Sequence, residues 1–112
     1  MVKQVLEAIE SICRRRNVQF EIEMLNADPP ATSSPEILDA ARAGCNDMNI
    51  IPLEMVSRAY HDSLFMARLS PVAMIFIPCK GGVSHRPDEY AKPEDIALGV
   101  EVLARTLARL SS

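Results

Sequence analysis

Two histidines are the side chains of this 112-residue sequence best suited to metal or proton chemistry. His61 is followed directly by Asp62, and His85 lies three and four residues before Asp88 and Glu89. A neutral imidazole is a common metal ligand, and a nearby carboxylate can fix its tautomer. Each histidine is therefore a candidate ligand or substrate contact, with a solvated surface histidine as the ordinary alternative.

The surroundings of His85 favour a functional role for this histidine. The segment before it, Val72–Ile77 (VAMIFI), is apolar at every position, which is typical of an interior strand of a helix-covered sheet. A loop containing Gly81 and Gly82 follows, and glycines let the backbone approach a ligand closely. Because functional residues collect where such strands end, His85 is the stronger of the two candidates.

A complete hydrolytic metal site is not predicted from these residues. Cleavage of an amide or ureido group by metal-activated water needs several ligands around an open position, and also a general base. The sequence offers two histidines, without a His-x-Asp or Glu-Glu pair. Its three cysteines (Cys13, Cys45 and Cys79) are far apart, which argues against a zinc–thiolate site or a disulfide framework.

Hydrophobic periodicity predicts four helices that position these residues. Apolar side chains recur at three- and four-residue spacings in the first and last of them, whereas Ser34 and Pro35 mark the start of the second as N-cap and first helical residue. The predicted helices cover residues 2–16, 35–47, about 62–68 and about 93–110.

Two strands complete the predicted α/β fold. Residues 18–24 alternate apolar and polar side chains, which predicts a half-exposed strand, and residues 72–77 form the interior strand. Between the first strand and the second helix, residues 26–34 contain two prolines and predict a stiff connector. The domain boundary is placed at this connector, after residue 27.

The amino-acid composition limits which classes of binding partner are expected. The net charge is −3, with 48% hydrophobic and 24% charged residues, which is usual for a globular domain. Nucleic-acid binding requires a concentrated basic face, so no such partner is expected. No apolar stretch approaches the roughly 20 residues of a membrane-spanning helix, so no membrane partner is expected either.

Two motifs resemble those of a known family of binuclear-metal hydrolases. Residues 59–63 (AYHDS) resemble an "AGHDA" element, and residues 82–89 (GVSHRPDE) resemble a "GxSHxPxE" element, of the ureide and N-carbamoyl amidohydrolases. These enzymes are relatives of the acetylornithine-deacetylase-like metallohydrolases. The chain departs from the common bacterial form at Arg58 and Tyr60, where glycines are usual, and at Ser63, where alanine is usual.

The sequence of residues 57–68 (SRAYHDSLFMAR) is similar to that of the plant-type branch of the family, which hydrolyses ureidoglycolate. This resemblance makes ureidoglycolate the favoured substrate, with allantoate or an N-carbamoyl-L-amino acid as alternatives. It implies a fold in which residues 28–112 are the C-terminal part of a helix-covered, zinc-peptidase-like sheet domain. Residues 1–27 would be the last helix and strand of an α+β lid or dimerisation domain.

The resemblance also implies roles for individual residues. His85 matches a metal ligand of a site that holds two divalent ions, manganese or zinc. Tyr60 and His61 match positions that line the substrate pocket, and Tyr60 adds an aromatic wall that could exclude bulky substrates. Asp62 either orients a neighbouring group or caps a helix. The remaining ligands and the general-base glutamate lie upstream in the family, so no catalytic residue is expected in this chain.

The resemblance finally implies that the chain is a piece of a longer enzyme. That parent is expected to be a homodimer, located in the endoplasmic reticulum if it is of the plant type and otherwise in the cytoplasm. The competing interpretation is a non-enzymatic α/β module that binds a partner through the exposed edge of residues 18–25. The orphan strand before the connector favours the fragment.

Overall fold

The computed structural model describes residues 2–111, and α-helices organise that range. The helices are α1 (Val2–Arg16), α2 (Pro35–Asn46), α3 (Ser63–Met66) and α4 (Pro93–Leu110). The predictions for α1, α2 and α4 are confirmed, whereas α3 is shorter than predicted because the chain continues in turns from residue 67. No helix in this part of the chain has both the length and the apolar character needed to cross a membrane.

Asparagines end the first two helices. Asn17, after α1, has φ 51°, and the N–H of Val18 donates to the carbonyl oxygen of Cys13 at 3.0 Å. This left-handed residue with a 6→1 bond is a Schellman motif, which satisfies carbonyl groups that the helix leaves free. Asn49, with φ 55°, ends the turn after α2 in the same way.

The start of α2 is joined to the segment that was predicted as the interior strand. Ser34 occupies the N-cap position, but its side chain makes no capping bond. Its backbone N–H instead donates to the carbonyl oxygen of Val72 at 2.7 Å. Pro35 then supplies the first helical residue, where a missing N–H costs nothing.

The core of the described chain lies where α2 packs against α4. Its buried residues are Gly44 and Cys45 on α2, and Val102 and Thr106 on α4. The Thr106 hydroxyl donates to the Val102 carbonyl oxygen at 2.7 Å, so burial leaves it satisfied. A Cβ atom on Gly44 would lie 3.3 Å from the Cβ atom of Arg105, so the glycine permits the close approach of the two helices.

A second glycine lets residues 72–77 lie against α4. A Cβ atom on Gly99 would lie 2.6 Å from Cγ2 of Ile77, which is closer than two carbon atoms can pack. The apolar segment and the helix are therefore in direct contact at this point.

The structure differs from the prediction in its strands. Residues 2–111 contain no β-strand, so residues 18–24 and 72–77 do not form the predicted sheet or the sheet of a lid within that range. A strand is defined by hydrogen bonds to a neighbouring strand, and the described chain supplies no such ladder. Large apolar side chains remain uncovered as a result, including Ile51 (95% exposed) and Val56 (88% exposed).

Candidate functional site

The loop that carries His85 is closed at its base. The N–H of Lys80 donates to the carbonyl oxygen of Tyr90 at 2.8 Å, which brings the two ends of residues 80–90 together. Gly81 and Gly82 have φ 64° and 67°, a region that glycine enters without steric cost. The glycines therefore shape the turn that leads to the histidine.

His85 is held through its backbone. Its φ is 59°, in the left-handed region that is costly for a residue with a Cβ atom, and its N–H donates to Oε2 of Glu89 at 2.8 Å. Asp88 pairs with the Arg86 guanidinium at 2.9 Å. The sequence spacing suggested that Asp88 or Glu89 fixes the imidazole tautomer of His85. In the structure neither carboxylate makes a hydrogen bond to the ring. The exposed His85 ring makes no hydrogen bond within residues 2–111, so its nitrogens are open to a ligand.

His61 is held through its ring instead. Its Nε2 lies 2.6 Å from Oγ of Ser57, and its ring centroid lies 5.7 Å from that of Phe76. The side chain is half-buried. Asp62 is exposed and stands at the N-cap position of α3, where its side chain makes no capping bond. In the described chain, Ser57 rather than Asp62 orients the His61 ring.

Tyr60 belongs to a group of four side chains, which we call the Tyr60 cluster: Asp28, Tyr60, Phe65 and Arg68. The Tyr60 hydroxyl donates to one carboxylate oxygen of Asp28, and the Arg68 guanidinium donates to the other. The Phe65 ring meets the Tyr60 ring edge-on at 5.8 Å, and the Arg68 guanidinium lies 5.2 Å from the Phe65 centroid. The cluster joins the proline-rich connector to the residues around α3.

These contacts shift two ionisation equilibria in opposite directions. The hydrogen bond from Tyr60, followed by that from Arg68, lowers the pKa of the Asp28 carboxyl group. The same bond to a carboxylate raises the pKa of the Tyr60 phenol, because loss of the proton would leave two negative groups in contact. Both shifts favour a neutral phenol donating to an ionised carboxylate.

A cleft of about 570 Å³ lies elsewhere, between α2, α4 and the segments 50–55 and 74–78. Its lining is largely apolar and includes none of Tyr60, His61 and His85. This cleft is therefore not the site that the sequence predicts. It is an apolar groove between two helices and two extended segments.

The histidine, cysteine and acidic side chains of the described chain could supply one ligand of a metal centre but not the whole centre. No group of three or more histidine, cysteine or acidic side chains within residues 2–111 could hold a metal ion. His85 presents an exposed ring with open nitrogens, which suits a single ligand in a larger cluster. No hydrogen bond, ion pair or ring contact in the described chain joins His85 to Tyr60 or His61.

Sequence reasoning singled out Tyr60, His61 and His85 but missed the side chains that hold the first two. Ser57 stands four residues before His61 and two residues before the motif of residues 59–63, so the sequence spacing could have indicated its bond. Asp28 and Arg68 were not, because they lie 32 residues before and eight residues after Tyr60 with no pattern that links them.

A family model decides where this chain belongs. The model of Peptidase family M20/M25/M40 matches residues 3–109, nearly the whole sequence. The chain belongs to this peptidase family. Peptidase family M20/M25/M40 is generally metal-dependent, which agrees with an exposed histidine suited to a single metal ligand.

Three relatives show which members of the M20/M25/M40 family this chain resembles in sequence. The chain is 47% identical to a ureidoglycolate hydrolase of Arabidopsis thaliana and 48% identical to one of Oryza sativa subsp. japonica, over 99% of its length in both cases. It is 35% identical, over 97% of its length, to an N-carbamoyl-L-amino acid amidohydrolase of Geobacillus stearothermophilus. The matches cover 24%, 23% and 27% of these relatives, so the chain spans about a quarter of their length.

Proposed function

We propose that this chain is part of a metal-dependent amidohydrolase that cleaves the ureido C–N bond of ureidoglycolate, with glyoxylate, ammonia and carbon dioxide as the final products. The observation that carries the proposal is the difference in identity. The chain is 47% and 48% identical to two ureidoglycolate hydrolases over 99% of its length, but 35% identical to an N-carbamoyl-L-amino acid amidohydrolase over 97% of its length. Residues 59–63, with Tyr60 in place of glycine, support the same branch.

The activity belongs to a longer polypeptide, which we call the parent enzyme. Support comes from the share of the relatives that the chain covers and from the donor set, which is too small for a metal centre within residues 2–111. Residues 28–112 form the C-terminal part of its sheet-containing catalytic domain, and residues 72–77 pair there with strands from elsewhere. Residues 1–27 end a lid or dimerisation domain, and the parent enzyme is a homodimer, located in the endoplasmic reticulum if it is of the plant type and otherwise in the cytoplasm.

Residues of this chain have distinct tasks in the proposed reaction. Two divalent ions, manganese or zinc, would activate water and polarise the ureido carbonyl. His85 would hold one of these ions through a ring nitrogen, since its exposed ring makes no hydrogen bond within residues 2–111. His61, oriented by Ser57, lies in the substrate pocket with a fixed ring, and Tyr60 forms a wall of the same pocket.

The alternative substrates are allantoate and N-carbamoyl-L-amino acids. The relative from Geobacillus stearothermophilus supports the second of these, at lower identity. A non-enzymatic module that binds through residues 18–25 is the third possibility. This interpretation requires the isolated chain to be stable, which urea denaturation of the 112-residue chain measures.

Steady-state kinetics of the parent enzyme test the proposal. Purified enzyme loaded with Mn²⁺ or Zn²⁺ is assayed with ureidoglycolate, allantoate and an N-carbamoyl-L-amino acid. We expect the largest kcat/KM with ureidoglycolate. A larger value for either other substrate would reassign the activity within the family, and no turnover of any of them would leave the interaction module as the better interpretation.

A further inference from the structure

We infer that Asp28 and Arg68 are positioning residues that hold the Tyr60 ring in place and so set which ureides the parent enzyme accepts. This inference rests on the proposed function, and it assigns a task to two side chains outside both motifs. Neither residue is expected to touch the substrate.

The contacts of the Tyr60 cluster form a closed circuit. Tyr60 donates to Asp28, Arg68 donates to the other oxygen of Asp28, Arg68 lies over Phe65, and Phe65 meets Tyr60 edge-on. Each member therefore has two neighbours within the circuit. A ring whose hydroxyl group is bonded and which also packs against a second ring has little freedom to rotate, so the Tyr60 side chain keeps one orientation.

Asp28 is the residue on which the circuit depends. Its two oxygens accept from different partners, and its side chain is 23% exposed whereas that of Arg68 is 52% exposed. A carboxylate that accepts from both a phenol and a guanidinium makes charge-assisted bonds, which are stronger than neutral ones. Asn at this position would carry no charge and would place an NH2 donor where one of the two partners now donates, so it could not hold both partners in this geometry.

The exposed part of the Tyr60 side chain explains why the orientation of its ring would affect substrate selectivity. The side chain is 54% exposed, so part of the ring is uncovered although its hydroxyl group is engaged. The neighbouring residue, His61, is fixed separately by Ser57. A substrate that contacts His61 would meet the Tyr60 ring as a rigid wall, and a loose ring would admit larger substituents.

Substrate selectivity of parent-enzyme variants tests the inference. The measured quantity is kcat/KM for ureidoglycolate divided by kcat/KM for a bulky N-carbamoyl-L-amino acid. We expect Asp28→Ala and Tyr60→Phe each to lower this ratio about tenfold, the factor for one lost charge-assisted hydrogen bond. Because both variants open the same circuit, the double variant should resemble either single one. Asp28→Asn, which is nearly isosteric, should lower the ratio as well.

The matched control is Glu101→Gln, which breaks an ion pair of comparable exposure on α4. It should leave the ratio unchanged. If Asp28→Ala, Asp28→Asn and Tyr60→Phe also leave the ratio within twofold of the wild-type value while ureidoglycolate is still hydrolysed, the positioning role is overturned and the proposed function stands.

A second readout does not depend on activity. In tyrosine-labelled parent enzyme, the Tyr60 phenol is titrated by carbon NMR, with Tyr60→Phe used to assign its signal. The inference expects its pKa to fall toward the ordinary value of about 10 in Asp28→Ala. An unchanged Tyr60 titration would show that the contact is absent and overturn the inference, even if no ureide were hydrolysed.

Discussion

His85 is held through its backbone and His61 through its ring. The first arrangement fixes where the side chain begins while its nitrogens stay open, which suits a metal ligand. The second occupies one nitrogen and fixes the plane of the ring, which suits a group that must meet a substrate in one orientation. The two histidines should therefore respond differently to removal.

Replacement of His85 tests the ligand role. In the parent enzyme, His85→Ala should lower the bound metal and nearly abolish turnover, because the proposed site would lose one of its ligands. His61→Ala is the control and should keep the metal while losing activity. Metal content is measured by atomic emission after dialysis. Normal metal stoichiometry in His85→Ala would remove this residue from the ligand set.

Removal of the Ser57 hydroxyl tests the orientation of His61. Ser57→Ala should lower kcat of the parent enzyme about tenfold, because the His61 ring loses its only hydrogen bond within the described chain. Ser57→Thr keeps a hydroxyl group and should restore most of the rate. Bound metal should not change in either variant. Equal kcat values for Ser57→Ala and the wild type would contradict the orienting role.

The sequence predicts functional side chains better than it predicts what holds them. Tyr60, His61 and His85 stand inside short motifs, so their type and spacing are visible in one dimension. The Tyr60 cluster depends instead on a connector residue that meets its partners only after the chain folds. Because Asp28 has no periodicity or motif around it, no pattern could indicate this contact.

At the scale of elements, Gly99 marks where α4 and residues 72–77 touch. Gly99→Ala should destabilise the parent enzyme by about 1–3 kcal/mol, because the new methyl group overlaps Cγ2 of Ile77. The free energy of unfolding in urea measures the effect. In an Ile77→Ala background the overlap disappears, so the same substitution should cost little there. An equal loss of unfolding free energy in both backgrounds would show that the strain does not arise from contact with Ile77.

The link between the connector and α3 should depend on pH. The pKa of Asp28 is lowered by Tyr60 and Arg68, so its ionised form stabilises the folded state. That stabilisation is present above the ordinary carboxyl pKa of about 4 and is lost as the pH falls through the lowered value.

Urea midpoints of the wild-type parent enzyme and of Asp28→Asn measure this pH dependence. They should differ at pH 7 and converge in acid, and added salt should reduce the difference because these side chains are partly exposed. A midpoint difference that is constant down to strongly acidic pH would exclude Asp28 as its source.

Helices were predicted well and strands were not, for one physical reason. A helix satisfies its hydrogen bonds within its own segment, so the spacing of apolar residues and the prolines at 35 and 93 are sufficient to locate α1, α2 and α4. A strand takes its hydrogen bonds from another segment. The apolar pattern of residues 72–77 indicates a buried environment, but residues 2–111 do not supply the partner.

At the scale of the whole molecule, little of the described chain is enclosed. The buried hydrophobic residues are Cys45 and Val102, and the radius of gyration is 19.9 Å. A compact domain of about 100 residues has a radius of gyration of about 13 Å. Large apolar side chains of α1, of residues 50–56 and of residues 72–77 are therefore exposed, and in the proposed parent enzyme its other parts would cover them.

Urea denaturation of the isolated 112-residue chain distinguishes a fragment from a module. Helical circular dichroism should decline gradually with denaturant, because a cooperative transition requires a shared core that unfolds as a unit. The parent enzyme, measured in parallel, should show a steep transition. If the isolated chain also unfolded steeply, with an m-value appropriate to its size, the interaction module would be the better interpretation.

The backbone bond between Lys80 and Tyr90 holds the two ends of the intervening loop together, whatever the length of the loop. Residues can therefore be inserted or deleted within the loop without moving α4 or the apolar segment before it. The reach of His85 can therefore change independently of the scaffold, so in the proposed metal site the position of one ligand would depend on the length of this loop alone.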